Sequence, residues 1–250
     1  MSLEAQSVVA HTELEIAGCK WLQHPLDPNT ILGFSTSSVH AIDWKLKSLL
    51  TTALEYDSKD TTLDAATSSP KTSVDHVLVT CDKKHVLVQV TRRGQGSREC
   101  ILLYVDTSSF PVPTSPEPDS SAVMASENRA IQPRLLPSEL SAEVLIPLAF
   151  LPRDRLVFLS TRFSICVIQI PSASTKPPAK GPLKAAAKPT NRVGVYTGSA
   201  SAGTAKEIFY LPGDWIRRDC LALCSVWAKE RSFLCPRNGE VAIVRCAALA

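Results

Sequence analysis

Three groups of residues in this chain of 250 have types and spacings that could do chemistry: eight cysteines, a pair of glycines, and five basic residues at intervals of four. Gly198 and Gly203 have the G-x-x-x-x-G spacing of a phosphate loop, where backbone amides cradle phosphate while the adjacent lysine and hydroxyl reach phosphate and magnesium. Here Thr204 and Ala205 displace Lys206 by two positions, so the segment reads as a Gly/Ser/Ala loop. The cysteines are Cys19, Cys81, Cys100, Cys166, Cys220, Cys224, Cys235 and Cys246. No pair has the two-residue spacing of zinc sites, and most lie inside apolar runs, where a free thiol behaves as a small apolar side chain. His11, His24, His40, His76 and His85 are scattered over the first third of the chain, and no G-x-S-x-G turn marks a strained nucleophile. The sequence therefore assigns no catalytic residue, metal ligand or cofactor, and the expectation is a protein that is not an enzyme.

The basic run is Lys176, Lys180, Lys184, Lys188 and Arg192. On a helix this spacing makes one cationic face, but Pro177, Pro178, Pro182 and Pro189 forbid a continuous helix. A solvated insertion is the simpler reading. The functional one is electrostatic tethering to an acidic protein, RNA or an anionic membrane, which makes these five residues the candidate contact loop. With a net charge of +3 and +5 in this stretch, the remaining chain carries −2. A body so close to neutral argues against a nucleic-acid surface spread over the fold.

With 44% apolar and 20% charged residues, the chain has the composition of a globular protein. The first residues, MSLEAQSVVA, carry Glu4 and lack a basic stretch before an apolar core, which predicts no cleaved secretory signal. The longest apolar stretch, VLIPLAFL at 144–151, is far shorter than the ~20 residues of a membrane-spanning helix. A cytoplasmic location follows as the expectation, with the cysteines reduced.

These side chains must be carried by something, and the chain repeats one pattern four times. An apolar strand, a short polar turn and a second apolar strand read TILGFS-TSS-VHAIDW, HVLVTC-DKK-HVLVQV, RLVFLS-TRF-SICVIQ and RSFLC-PRNG-EVAIV. Taking Ile31, Val77, Leu156 and Ser232 as equivalent gives spacings of 46, 79 and 76 residues. The first fits a propeller blade of ~40–45 residues, and the others a blade plus insertions. Strands such as SICVIQI and HVLVQV are apolar at nearly every position, which predicts sheets covered on both faces by neighbouring sheets. KWLQH, PLAFL and EIFYL read as preceding strands, each followed by a Pro- and Asp-containing turn. WIRRDCLALCSVWAKE reads as a strand around LALCSVW or a short helix. Residues 57–73, 107–141 and 171–205 are proline-, serine- or lysine-rich and read as long mobile insertions.

KWLQHPLDPNTILGFSTSSVHAIDWKL, LIPLAFLPRDRLVFLSTRFSICVIQI and EIFYLPGDWIRRDCLALCSVWAKERSFLCPRNGEVAIVRC resemble the C-terminal region of fungal NACHT NTPases of the vegetative-incompatibility type, which carry WD-repeat-like propellers. The resemblance implies a sensing module that binds a protein or ligand, with the NTPase upstream in a longer gene product. No unit carries the Gly-His pair or a strand ending in Trp-Asp, so the blades are degenerate. The expected architecture is all-β, a single propeller-like domain over 1–250 with about four to five blades. Whether the ring is complete is left open, as are a truncated remnant of a receptor and an enzyme with a site in the propeller channel. If the basic loop tethers a partner, replacing its five basic residues by glutamine weakens association measured by salt-dependent pull-down; unchanged binding removes that role.

Overall fold

The computed structural model describes residues 18–45, 48–56, 71–94, 97–112, 130–170, 205–215, 218–237 and 239–249. These residues form four antiparallel sheets, in each of which successive strands pair with their chain neighbours. Sheet 1 contains β1 (Lys20–Gln23), β2 (Thr30–Phe34), β3 (Ser38–Asp43) and β4 (Ser48–Ala53). Sheet 2 contains β5 (Lys71–Val79), β6 (His85–Arg93), β7 (Arg98–Asp106) and the two-residue β8 (Arg134–Leu135). Sheet 3 contains β9 (Val144–Leu151), β10 (Arg155–Ser160), β11 (Ser164–Gln169) and β12 (Lys206–Tyr210). Sheet 4 contains β13 (Ser225–Trp227), β14 (Ser232–Arg237) and β15 (Glu240–Arg245).

Hydroxyl residues close three of the hairpins. The Ser35 Oγ accepts the Ser38 amide at 2.9 Å, the Thr80 Oγ1 accepts the His85 amide at 3.0 Å, and the Ser160 Oγ accepts the Ser164 amide at 3.1 Å. Each bond satisfies a backbone donor that the tight turn would otherwise strand. These turns fix register, and register decides which apolar side chains share a face.

The sheets stack face to face through three cores. Leu32, Phe34, Val39 and Ala41 of sheet 1 meet Val86, Val88 and Val90 of sheet 2. Leu87, Leu102 and Tyr104, on the opposite face of sheet 2, meet Phe150, Leu156 and Phe158 of sheet 3. Val157, Leu159 and Ile165 of sheet 3 then meet Phe233 and Cys235 of sheet 4. β6 and β10 thus bury both faces, as their nearly continuous apolar runs predict, whereas the described residues cover sheets 1 and 4 on one face. Gln89, the polar break in β6, is fully buried and donates through Nε2 to the carbonyls of Val144 (3.3 Å) and Leu145 (3.2 Å) on β9. That amide ties the second sheet to the first strand of the third.

First strands lie beside first strands: β1 packs on β5, β5 on β9, and β9 on β13. No comparable contact joins β13 back to β1 among the described residues. The sheets therefore converge on their first strands and spread apart at their later ones, as a fan. The widening gaps are plugged. Leu54 bridges to Ile131 between sheets 1 and 2, and α1 (Ser138–Glu143) packs on both β7 and β9. The Ser141 Oγ accepts the Leu102 amide at 3.3 Å, where β8 is too short to do so.

Four sequence expectations change. The second repeat is out of step: HVLVTC-DKK-HVLVQV is the β5–β6 hairpin, while the other three are second-to-third-strand hairpins. The structural equivalents are the second strands starting at Thr30, His85, Arg155 and Ser232. EIFYL forms β12, pairing with β11 as the last strand of sheet 3 instead of opening sheet 4. Within WIRRDCLALCSVWAKE, a helical turn, α2 (Arg218–Leu221), precedes the three-residue β13 at the end of LALCSVW, so both readings of that segment hold in part. The insertions are narrower than expected. Lys71–Ser73 begin β5, and Phe110, Ile131, Leu136 and Leu140 of the 107–141 stretch are buried in the gaps between sheets. Such plugs carry isolated apolar residues without a period, which is why the pattern hides them. Of the 171–205 stretch only Ala205 is described, packed on the second core; 57–70, 113–129 and 171–204 lie outside the described residues.

Gly33 sits beneath the Trp21 ring, and a Cβ there would stand 2.6 Å from its Cζ3. Gly33→Ala is expected to lower the unfolding free energy from denaturant titration by about 1–3 kcal/mol as overpacking. Adding Trp21→Ala should recover most of that loss in a double-mutant cycle, and additive losses would refute the contact.

Candidate functional site

Convergence of the first strands leaves a cleft of about 710 Å³ at the end where those strands begin. His76 of β5 and Leu145 and Ile146 of β9 line it, with Phe163 from the β10–β11 turn and Leu221 and Ala222 ahead of β13. Arg93, Gly94, Ser97 and Arg98, from the β6–β7 turn, form its mouth. Three sheets thus contribute to one space. Two further hollows, of about 760 and 620 Å³, are lined by sheets 1 and 2 and the segment near β8.

The cleft has an apolar wall and a cationic rim. Arg98 Nη2 lies 3.5 Å from Asp75 Oδ2, and the Ser73 hydroxyl donates to Asp75 Oδ1 at 2.9 Å, so that carboxylate is held. No carboxylate pairs with Arg93 among the described residues, and its side chain is exposed. Burial depresses the His76 pKa; Asp75 opposes that shift, and Lys20 and Arg98 add to it. The imidazole is consequently neutral near pH 7, able to donate one hydrogen bond and accept another.

Phe163 holds a backbone φ of +58°, a left-handed conformation that a bulky side chain rarely adopts. Its amide bonds to the Ser160 carbonyl and its carbonyl accepts the Leu211 amide, both at 2.9 Å. The turn therefore fixes an aromatic ring at the cleft wall at a cost in backbone strain, and such strain clusters at binding sites.

The residues singled out by sequence fall elsewhere, His76 excepted. Lys176, Lys180, Lys184, Lys188 and Arg192, His11, and Gly198 and Gly203 lie outside the described residues. His24 is buried in the β1–β2 turn: its Nδ1 accepts the amides of Leu26 (3.1 Å) and Asp27 (3.0 Å), while its Nε2 has no partner among the described residues. His40 bridges Ser38 and Thr51, and His85 stacks on Tyr104 with ring centroids 4.5 Å apart. Cys166 and Cys235 are buried and Cys81 is exposed, its thiol donating to the Phe150 carbonyl. Among the described residues no group of three or more His, Cys, Asp or Glu could hold a metal ion. No helix among them is long and apolar enough to cross a membrane. Sequence reasoning missed Arg93, Arg98 and Phe163; the turn TRRGQGSRE carried the signal in three arginines around two glycines.

No family model, curated protein or solved structure matches the chain.

Burial lowers the pKa of His24, His40 and His76 below the ordinary 6.5. Below that value the unfolded chain takes up protons that the folded chain refuses, so the stability held at neutral pH declines as pH falls past 6.5. Urea midpoints should be level from pH 8 to 7 and drop towards pH 5. His24→Asn, which keeps an acceptor for the two turn amides, should flatten part of that drop; an identical profile would show that this imidazole does not contribute.

Proposed function

We propose that this chain is a non-catalytic binding module, a degenerate β-propeller whose blades are the four sheets. Its ligand is a segment of a protein partner that carries an acidic or phosphorylated residue beside an apolar one. The observation that carries the reading is the cleft where first strands converge. Arg93 stands at its rim with no carboxylate partner among the described residues, the Arg98–Asp75 pair lies beside it, and Leu145, Ile146 and Phe163 form its wall. A volume of about 710 Å³ falls in the range of ligand pockets, which combine apolar walls with a few convergent polar groups. Loops at one end of a rigid sheet array are where such modules place contacts.

The resemblance to fungal NACHT proteins supports placing the module in signal sensing, where the propeller receives the ligand and an NTPase on a longer gene product responds. In that setting the chain works in the cytoplasm. The basic run Lys176–Arg192 serves as a second, electrostatic contact with an acidic partner.

A peptide library displayed against the full chain tests the reading. Sequences with Asp, Glu or a phosphoresidue next to an aliphatic or aromatic residue should be enriched, and Arg93→Glu should weaken them at least tenfold. Phe163→Asn, which suits the left-handed turn, should weaken them with little change in the thermal midpoint. Enrichment indifferent to both variants overturns the assignment, and turnover of a substrate in the cleft would replace it with an enzymatic one.

A further inference from the structure

The three internal junctions of the fan share one rule. Counted from the start of each second strand, the third residue points toward the following sheet and the second residue toward the preceding one. Leu32, Leu87 and Val157 occupy the first of these positions in sheets 1 to 3, and all are fully buried. Val86, Leu156 and Phe233 occupy the second in sheets 2 to 4, and these are fully buried too. The remaining members of the two series are Ile31, on the outer face of sheet 1, and Leu234, on the outer face of sheet 4. No described sheet covers either.

Both outer faces are built for burial. Register places Trp21, Ile31, Ile42 and Leu49 together on sheet 1, and Trp227, Leu234, Val241 and Ile243 together on sheet 4. Trp21, Ile31 and Leu49 on one face and Trp227, Val241 and Ile243 on the other stand 40–59% exposed, and Ile42 and Leu234 are half-buried among them. A sheet face meant for solvent carries alternating charged residues. These faces hold one ionisable side chain each among the paired strands, His40 and Arg245, and His40 is bonded within its own sheet.

We infer that a second copy of this chain covers them. Sheet 4 of one protomer seats on sheet 1 of its partner, and the two-fold axis repeats the contact, closing two four-sheet fans into one ring. The junction formed is the one used three times inside each chain, with a leading face such as Leu234 meeting a trailing face such as Ile31. Eight sheets fall within the 4–8 blades of closed propellers. The area suffices. Three half-exposed large side chains offer on the order of 300 Å² per outer face, so four faces bury about 1,200 Å² before polar neighbours are added, the lower bound of a stable interface. A head-to-tail contact that closes also removes the exposed sheet faces that would otherwise drive open polymers. This inference stands apart from the cleft and its ligand.

Sedimentation velocity of the full chain tests it. A single species of twice the chain mass is expected. Ile31→Glu and Ile243→Glu each place a charge on one outer face at an already exposed position, and each should give a monomer with the wild-type circular-dichroism spectrum and a thermal midpoint that no longer depends on protein concentration. Mixing Ile31→Glu with Ile243→Lys should restore a dimer, because one junction is then native and the other pairs opposite charges. A wild-type monomer overturns the inference and leaves the faces to another segment of this chain or to a different protein. A dimer that survives either glutamate variant means that like faces pair, and a ladder of larger species means that the ring does not close; both also overturn it.

Discussion

Covering both faces of β6 and β10 is the constraint on which the rest of this structure depends. Leu156–Leu159 of β10 are all apolar, and in β6 even the polar Gln89 and Thr91, on the face of Leu87, are buried. Val86, Val88 and Val90 look one way while Leu87 looks the other, and Leu156 and Phe158 oppose Val157 and Leu159. A single layer would leave one of these sets wet, at roughly 1.5–3 kcal/mol for each large side chain. Sheets 1 to 4 therefore have to stack, and the stack cannot have fewer than one sheet on each side of sheets 2 and 3.

Stacking alone would allow parallel slabs. The fan arises because first strands are packed on one another while later strands stand apart, with small plugs in the gaps. Gln89 pins the narrow end of the second junction by donating to β9 carbonyls, and Ser141 and Leu140 of α1 fill its wide end. Buried polar groups of this kind specify one arrangement as well as stabilise it, since a shifted sheet would leave the amide unpaired. The same convergence makes the cleft: where three first strands meet, their turns face a common space.

The two ends of the fan tie fold to assembly. Sheets 1 and 4 obey the inward and outward rule of the middle sheets but, among the described residues, have no neighbouring sheet on one side. In the dimer inferred above, the apolar face at each end would extend the intramolecular packing rule across the interface without any new kind of contact.

The sequence by itself determined the four central hairpins and the need for face-to-face burial, because these are local: the apolar runs of TILGF or RLVFLS and the short polar turn between two strands act within a hairpin, whereas the outer strands β4, β7 and β8 carried no such signal. It could not determine which hairpins are equivalent. HVLVTC-DKK-HVLVQV matches the other repeats in pattern, yet only pairing with β7 reveals β6 as the second strand. Nor could it mark Ile131, Leu136 and Leu140 as core, since a plug needs apolar residues at the right place in space and no period along the chain. The cleft was hidden for the same reason. His76, Arg93, Leu145 and Phe163 lie far apart in sequence, and only the packing of sheet 2 against sheet 3 at their first strands brings them to one cleft.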